Sequence, residues 1–275
     1  MRLPVWFIGE CVGTFILVFF GCGSVCAAVL TSAQAGIFQV AIVWGVAVAV
    51  AIHLTASLSG AHLNPAVTIA MMAFGDFEKR KVKGYLAAQF CGAFLAAAVL
   101  HGIFATTIAH FEKRTGIVRG EPGSEASAMI YGEYFPNPGG KPLTELGDYQ
   151  LGMSSAFLAE VIGTALLVFV ICGLIDRRNS GKVDHLNPTL IGLTVMMLIS
   201  IVAPLTQAAF NPARDLAPRV FSALAGWGSV PFTTNGVGWW WVYLVGPTGG
   251  GLLGGFLYFR VLKPAYAAKE KSERP

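Results

Sequence analysis

Residues 60–66 read Gly60-Ala61-His62-Leu63-Asn64-Pro65-Ala66, and residues 210–215 read Phe210-Asn211-Pro212-Ala213-Arg214-Asp215. In each stretch Asn stands where a helix N-cap is favoured and Pro occupies the first helical position, where an N–H would have no intrahelical partner anyway. The apolar run that follows is too short to cross a bilayer at about 1.5 Å per residue. In water both would be ordinary capped helix starts. In a chain this apolar they read as two half-helices that begin in the middle of a membrane.

Composition supports that setting. The 275 residues are 55% hydrophobic and 12% charged, with a mean hydropathy of +0.63. That is less than half the charge of an ordinary soluble domain, and it predicts a polytopic membrane protein. Residues 5–30 are apolar for too long to be a cleaved signal peptide and read as the first span. Cys11, Cys22, Cys26, Cys91 and Cys172 lie within apolar segments and match no zinc or redox spacing, so they read as small packing residues. No metal site, cofactor motif, catalytic constellation or nucleic-acid partner is expected.

Six apolar spans are predicted at about 5–30, 37–57, 84–108, 152–175, 188–206 and 239–262, with half-helices at 64–74 and from Asn211 to near Ala225. The polar stretch 109–151 is long for a connection inside a compact domain. Its Phe111, Tyr131, Tyr134 and Phe135 suggest that it packs on a channel mouth. Arg2, Lys79, Arg80, Lys81, Lys83, Arg177, Arg178, Lys182, Lys263, Lys269, Lys271 and Arg274 fall on one side. The long loop on the other side carries Lys113, Arg114, Arg119 and Lys141, outnumbered by six acids. The positive-inside rule then places both termini in the cytoplasm, which needs an even number of spans.

The chain also repeats. Glu10-x-x-Gly13-Thr14-x-x-Leu17-Val18-Phe19 recurs as Glu160-x-x-Gly163-Thr164-x-x-Leu167-Val168-Phe169, and Asn-Pro-Ala recurs from Asn64 at Asn211. Each unit holds three spans and a half-helix; three is odd, so the second unit enters the membrane from the opposite side. The expectation is an all-α membrane protein, one channel domain over 1–275. Its inverted repeats cover about 5–108 and 152–262, joined by an extracytoplasmic loop at 109–151, and its half-helices meet near the midplane.

These residues closely resemble the major intrinsic protein family, the aquaporins and glycerol facilitators, over roughly 5–262. The resemblance implies six tilted helices with two half-helices, assembled as four independently conducting monomers in a cell membrane. It places pore-lining carbonyls at Gly60, Ala61 and His62 and at Gln207, Ala208 and Ala209. The central region falls at Asn64, Pro65, Ala66, Asn211, Pro212 and Ala213, where the two Asn amides supply hydrogen-bond donors. Glu10 and Glu160 take a scaffold role, accepting hydrogen bonds from the re-entrant loops, and Asp215 is a mark of the glycerol subfamily.

The implied selectivity filter is Trp44, Ile199, Ala208 and Arg214. Trp44 and Arg214 follow the glycerol pattern. Ile199 stands where that pattern has Gly, and Ala208 where it has Phe, so one wall narrows while the opposite wall widens. The function implied is a passive channel for glycerol and similar small neutral solutes, with accompanying water and with ions and protons excluded. A mainly water-selective pore and a secondary transporter of a small solute are the alternatives. The physical basis is the same throughout: a hydroxyl stripped of water needs replacement hydrogen bonds, and positive half-helix ends with a fixed Arg oppose cations.

Overall fold

The computed structural model describes residues 3–179 and 184–272; Arg2, Lys182 and Arg274, used above for orientation, lie outside them. Among the described residues, six helices are long and apolar enough to cross a membrane. Helix α1 spans Val5–Thr31, α2 Ile37–Ser59, the half-helix α3 Pro65–Phe74 and α4 Val82–Thr115. In the second half, α5 spans Met153–Ile175, α6 Asn187–Thr206 and the half-helix α7 Pro212–Ser222. The last long helix, α8, runs over Gly238–Ser272. In hydrocarbon a backbone must satisfy its own hydrogen bonds, which is why nearly all the apolar sequence is helical.

The repeat pairs α1 with α5, α2 with α6, α3 with α7 and α4 with α8. Packing follows this symmetry: α1 lies on α4, α5 on α8, and α2 crosses α6 between the halves. Each half-helix rests on the last long helix of the other half, α3 on α8 and α7 on α4. Small residues make these crossings close. A Cβ on Gly92 of α4 would lie 2.1 Å from the Cys11 carbonyl oxygen of α1, and one on Gly254 of α8 would lie 2.1 Å from that of Ala165 in α5. At the α2–α6 crossing Gly45 and Gly192 face each other's carbonyl oxygens at 2.6 and 2.3 Å from their ideal Cβ positions.

Three boundaries differ from expectation. The third span continues past 108 to Thr115 because Glu112 is buried and bonded to Arg119 at 2.8 Å, so its charge does not force the helix open. The C-terminal basic stretch is no separate tail but the continuation of α8, helical to Ser272. Within α8, wide π-type turns at Trp241–Val245 and Tyr258–Leu262 come just before Pro247 and Pro264. A proline ring and its missing N–H displace the regular ladder one turn back. The second half-helix ends at Ser222 and gives way to a kinked turn closed by Gly226 at φ 108°.

Candidate functional site

The two half-helices begin as their sequences require. Asn64 Oδ1 accepts from Ala66 N at 2.8 Å, and Asn211 Oδ1 accepts from Ala213 N at 3.0 Å and Arg214 N at 3.3 Å. The amide ends cross between halves. Asn64 Nδ2 donates to the Phe210 carbonyl and Asn211 Nδ2 to the Leu63 carbonyl, both at 2.8 Å. Each NH₂ has a second hydrogen, and both Asn residues line the central cavity.

The loops leading into these caps are strained in the same way. Gly60, Ala61 and Leu63 have positive φ (80°, 49° and 53°), and so do their repeat equivalents Gln207, Ala208 and Phe210 (62°, 62° and 52°). A left-handed conformation at a non-Gly residue costs about 1–3 kcal/mol and persists only where its surroundings hold it. Two buried carboxylates do the holding. Glu10 accepts from His62 N at 2.9 Å and Leu63 N at 2.7 Å, and also from Ser59 Oγ and Gln89 Nε2. Glu160 accepts from Ala209 N at 3.0 Å, Phe210 N at 2.9 Å and Thr206 Oγ1 at 2.6 Å. Each therefore fixes two backbone N–H groups of the loop before its half-helix.

Around these loops runs a cavity of about 460 Å³. Gly60, Ala61, His62, Ala208 and Ala209 line it, as do Trp44, Ile199 and Arg214. Pro65, Ala66, Pro212 and Ala213 are buried behind it as the first turns of the half-helices. Gln207 is not on the lining: its side chain accepts from Tyr134 N at 2.9 Å and donates to Met129 O at 3.1 Å, strapping the long loop down. Asp215 is likewise turned away and pairs with Arg219 at 2.8 Å. Elsewhere the lining is mainly aliphatic, with Val48, Val67, Leu167, Ile171, Ile191 and Val195.

Trp44 and Arg214 meet on this wall. The Arg214 guanidinium carbon lies 4.4 Å from the Trp44 ring centroid, a cation–π contact. The Trp44 ring can lie there because α1 presents Gly21, where a Cβ would come within 2.3 Å of it. In the second half the Phe210 ring occupies a comparable slot over Gly163, at 2.1 Å from an ideal Cβ, and Leu63 sits over Gly13 at 2.5 Å. The Phe210 ring is thus committed to α5.

Gly21 and Glu133 escaped sequence reasoning, as did the contact that Tyr131, already read as packing on the mouth, makes with Arg214. Gly21 carries only a small-residue signal. Tyr131 offers its carbonyl to Arg214 Nη1 at 3.5 Å, and Glu133 forms a buried ion pair with the same nitrogen. Both come from the loop between α4 and α5, which folds onto the mouth opposite the chain termini. Arg119 fixes the base of this loop by lying 4.2 Å from the Trp227 ring centroid while bonding Glu112. At the other mouth Asp184, Asn187 and Pro188 line the cavity. There Asp176, just after α5, anchors α8: burial alone would raise its carboxyl, but hydrogen bonds from the Tyr258 hydroxyl and from Arg178 outweigh burial and hold it at about 2.

Residues 5–258 match the model of the family described as Major intrinsic protein. The chain is 41% identical to the glycerol uptake facilitator protein of Escherichia coli K12 over 256 residues, covering 93% of this chain and 87% of that one. It is 42% identical to the glycerol uptake facilitator protein of Pseudomonas aeruginosa PAO1 over 226 residues, covering 82% and 77%. Its fold superimposes on the X-ray structure of the aquaglyceroporin from Plasmodium falciparum with a TM-score of 0.81 and 29% identity, covering 96% of this chain and 98% of that one. With its inverted repeat, two capped half-helices and the cavity between them, this chain belongs to the major intrinsic protein family.

Proposed function

We propose that this protein is a passive channel for glycerol and similar small neutral solutes, with water passing by the same route. The observation that carries the reading is the wall on which Arg214 lies against the Trp44 ring face beside Ile199 and Ala208, in a cavity that continues to both Asn caps. A polyol has two kinds of side, carbon and hydroxyl, and this wall answers both. Trp44 and Ile199 take the carbon backbone, while Arg214, the loop carbonyls and the second Asn hydrogens take the hydroxyls that have lost water. Relatives named as glycerol uptake facilitators support the same reading.

Trp44, Ile199, Ala208 and Arg214 act as the size filter in this proposal, and Glu10 and Glu160 as struts for the loops. Ions are opposed at the centre, where two half-helix N-termini point their positive ends. Glu10 and Glu160, the acids inside the long spans that open the two repeats, are engaged with loop N–H groups, which leaves them no part in a coupled transport cycle. The cell membrane is the site of action, with the termini cytoplasmic and the loop at 109–151 outside, and the whole chain works as one channel domain. Four copies assemble. The exposed stripe Phe38, Ile42, Val46, Val50, Leu54 and Leu58 on α2 is one apolar face suited to a neighbouring subunit or to lipid.

Stopped-flow light scattering on vesicles carrying the purified protein tests this directly. Fast shrinkage in a sucrose shock and fast, protein-dependent reswelling in an equal glycerol shock are expected. Shrinkage without reswelling would make it a water channel with Ile199 as the narrowing residue. On the same apparatus Ile199→Gly is expected to speed glycerol entry by about tenfold, the order of effect of one or two misfitting methylenes in a tight pocket, while Ala208→Phe slows it. Trp44→Ala is expected to admit larger polyols and to lower discrimination between glycerol and urea. Unchanged rate ratios in all three variants would remove the filter from this wall.

A further inference from the structure

The loop between α4 and α5 delivers one acidic side chain to the filter wall, and its backbone is fixed on every side where it does so. Glu133 N donates to Asp215 Oδ1 at 2.7 Å, and the Glu133 carbonyl accepts from the Arg219 guanidinium. Next to it Tyr134 N donates to Gln207, and Asn137 donates through N and Nδ2 to the carbonyls of Leu205 and Ala203, at 3.0 and 2.7 Å. A loop tied to α6 and α7 in this way places the Glu133 carboxylate as firmly as a helix would.

Four buried ionisable side chains meet here: Arg214, Arg219, Asp215 and Glu133. Asp215 and Arg219 form a closed pair, with both carboxylate oxygens used, at 2.8 and 3.0 Å. That leaves Arg214 to Glu133. The side chains of these two are 6% and 1% exposed, and their contact joins Arg214 Nη1 to a Glu133 oxygen. Among the described residues, neither Glu133 oxygen has a hydrogen-bond partner apart from this contact. Arg214 faces the cavity and Glu133 stands behind it, off the lining.

We propose that Glu133 is a specificity-determining residue that acts through Arg214. Its carboxylate is the countercharge that makes the constriction net neutral, so that ions of both signs are refused. The inference rests on the channel reading above. An arginine alone at a narrow wall would select against cations and invite small anions, and a carboxylate alone would do the reverse. Neutral solutes are indifferent to the sum of the two charges. Ions are not, because a buried unpaired charge acts at low dielectric with little screening.

The pair makes opposite predictions for its two members. In planar bilayers with a sodium nitrate gradient the wild-type protein is expected to carry no measurable current. Glu133→Gln leaves Arg214 unpaired; nitrate conductance should rise about tenfold or more above background, and the reversal potential should move toward that of nitrate. Arg214→Met leaves Glu133 unpaired and should move it toward sodium. The double variant Glu133→Gln/Arg214→Met, neutral again, should lose the ion selectivity of either single variant. Glu133→Asp, which keeps the charge, should remain closer to wild type than Glu133→Gln. A merely structural contact would give leaks of one sign or none.

Glycerol reswelling of the same preparations keeps the two readings apart. A wild type without glycerol flux would overturn the channel reading, whereas reswelling with shifts of equal sign in both single variants, or with no shift, would overturn the role of Glu133. If Glu133→Gln does not fold, the Arg214→Met protein and the double variant decide the matter. Sodium selectivity that vanishes in the double variant upholds the countercharge, and its absence from Arg214→Met refutes it.

Discussion

Glu160→Ala is expected to abolish glycerol reswelling and to leave little monodisperse protein after detergent extraction. Glu160 is fully buried and serves three donors, the N–H groups of Ala209 and Phe210 and the Thr206 hydroxyl. Removing it strands these in an apolar interior at about 1–3 kcal/mol each, more because the lost acceptor is a carboxylate. The positive φ angles of Gln207, Ala208 and Phe210 then lose the contacts that hold them. The sum, on the order of 5 kcal/mol, matches the whole stability of many domains. Glu160→Gln should also fail, since its NH₂ would point a donor at donors. Reswelling within a factor of two of wild type in Glu160→Ala would show that the loop is held by something else.

Gly92→Val is expected to lower the melting temperature by more than about 10 °C, or to prevent folding, while Gly102→Ala in the same helix is neutral or raises stability by up to about 1 kcal/mol. The contrast is geometric. A Cβ at Gly92 meets the backbone of Cys11 and Phe15, at 2.1 Å from the Cys11 carbonyl oxygen and 3.0 Å from Phe15 N, whereas a Cβ at Gly102 meets nothing within 4 Å. A side chain can turn away from a clash, but a helix backbone cannot. Relief would require α1 and α4 to separate near Glu10 and Gln89, which are hydrogen-bonded at 2.7 Å. Thermal unfolding followed by intrinsic fluorescence in detergent compares the two; equal melting temperatures would mean that the crossing is soft.

Much of this was legible in the sequence because it is written in local rules. Asn-Pro at a helix start, apolar runs of span length and the recurrence of Glu-x-x-Gly-Thr gave the six spans, both half-helices and their inversion. The limits appear where a residue's role depends on a distant partner. Glu133 is one of six acids in a polar loop, and nothing beside it points to Arg214, 81 residues away in sequence. For Gln207 the resemblance speaks only of a backbone carbonyl; that its side chain, with both a donor and an acceptor, binds that loop is written in no local pattern. The third span reads as ending near 108, but Glu112 beyond it is paired with Arg119 and the helix continues to Thr115.

The crossed amides also set an order of events during synthesis. The Asn64 amide waits for the carbonyl of a residue made 146 positions later. At about 5–20 residues per second that is on the order of ten seconds or more, during which the first re-entrant turn exists without its counterpart. Glu10 can occupy its N–H groups from the start, because Glu10 has already been made. Only the carbonyl of Leu63 and the amide of Asn64 must be kept occupied until the second turn arrives, by water or by whatever attends the nascent chain.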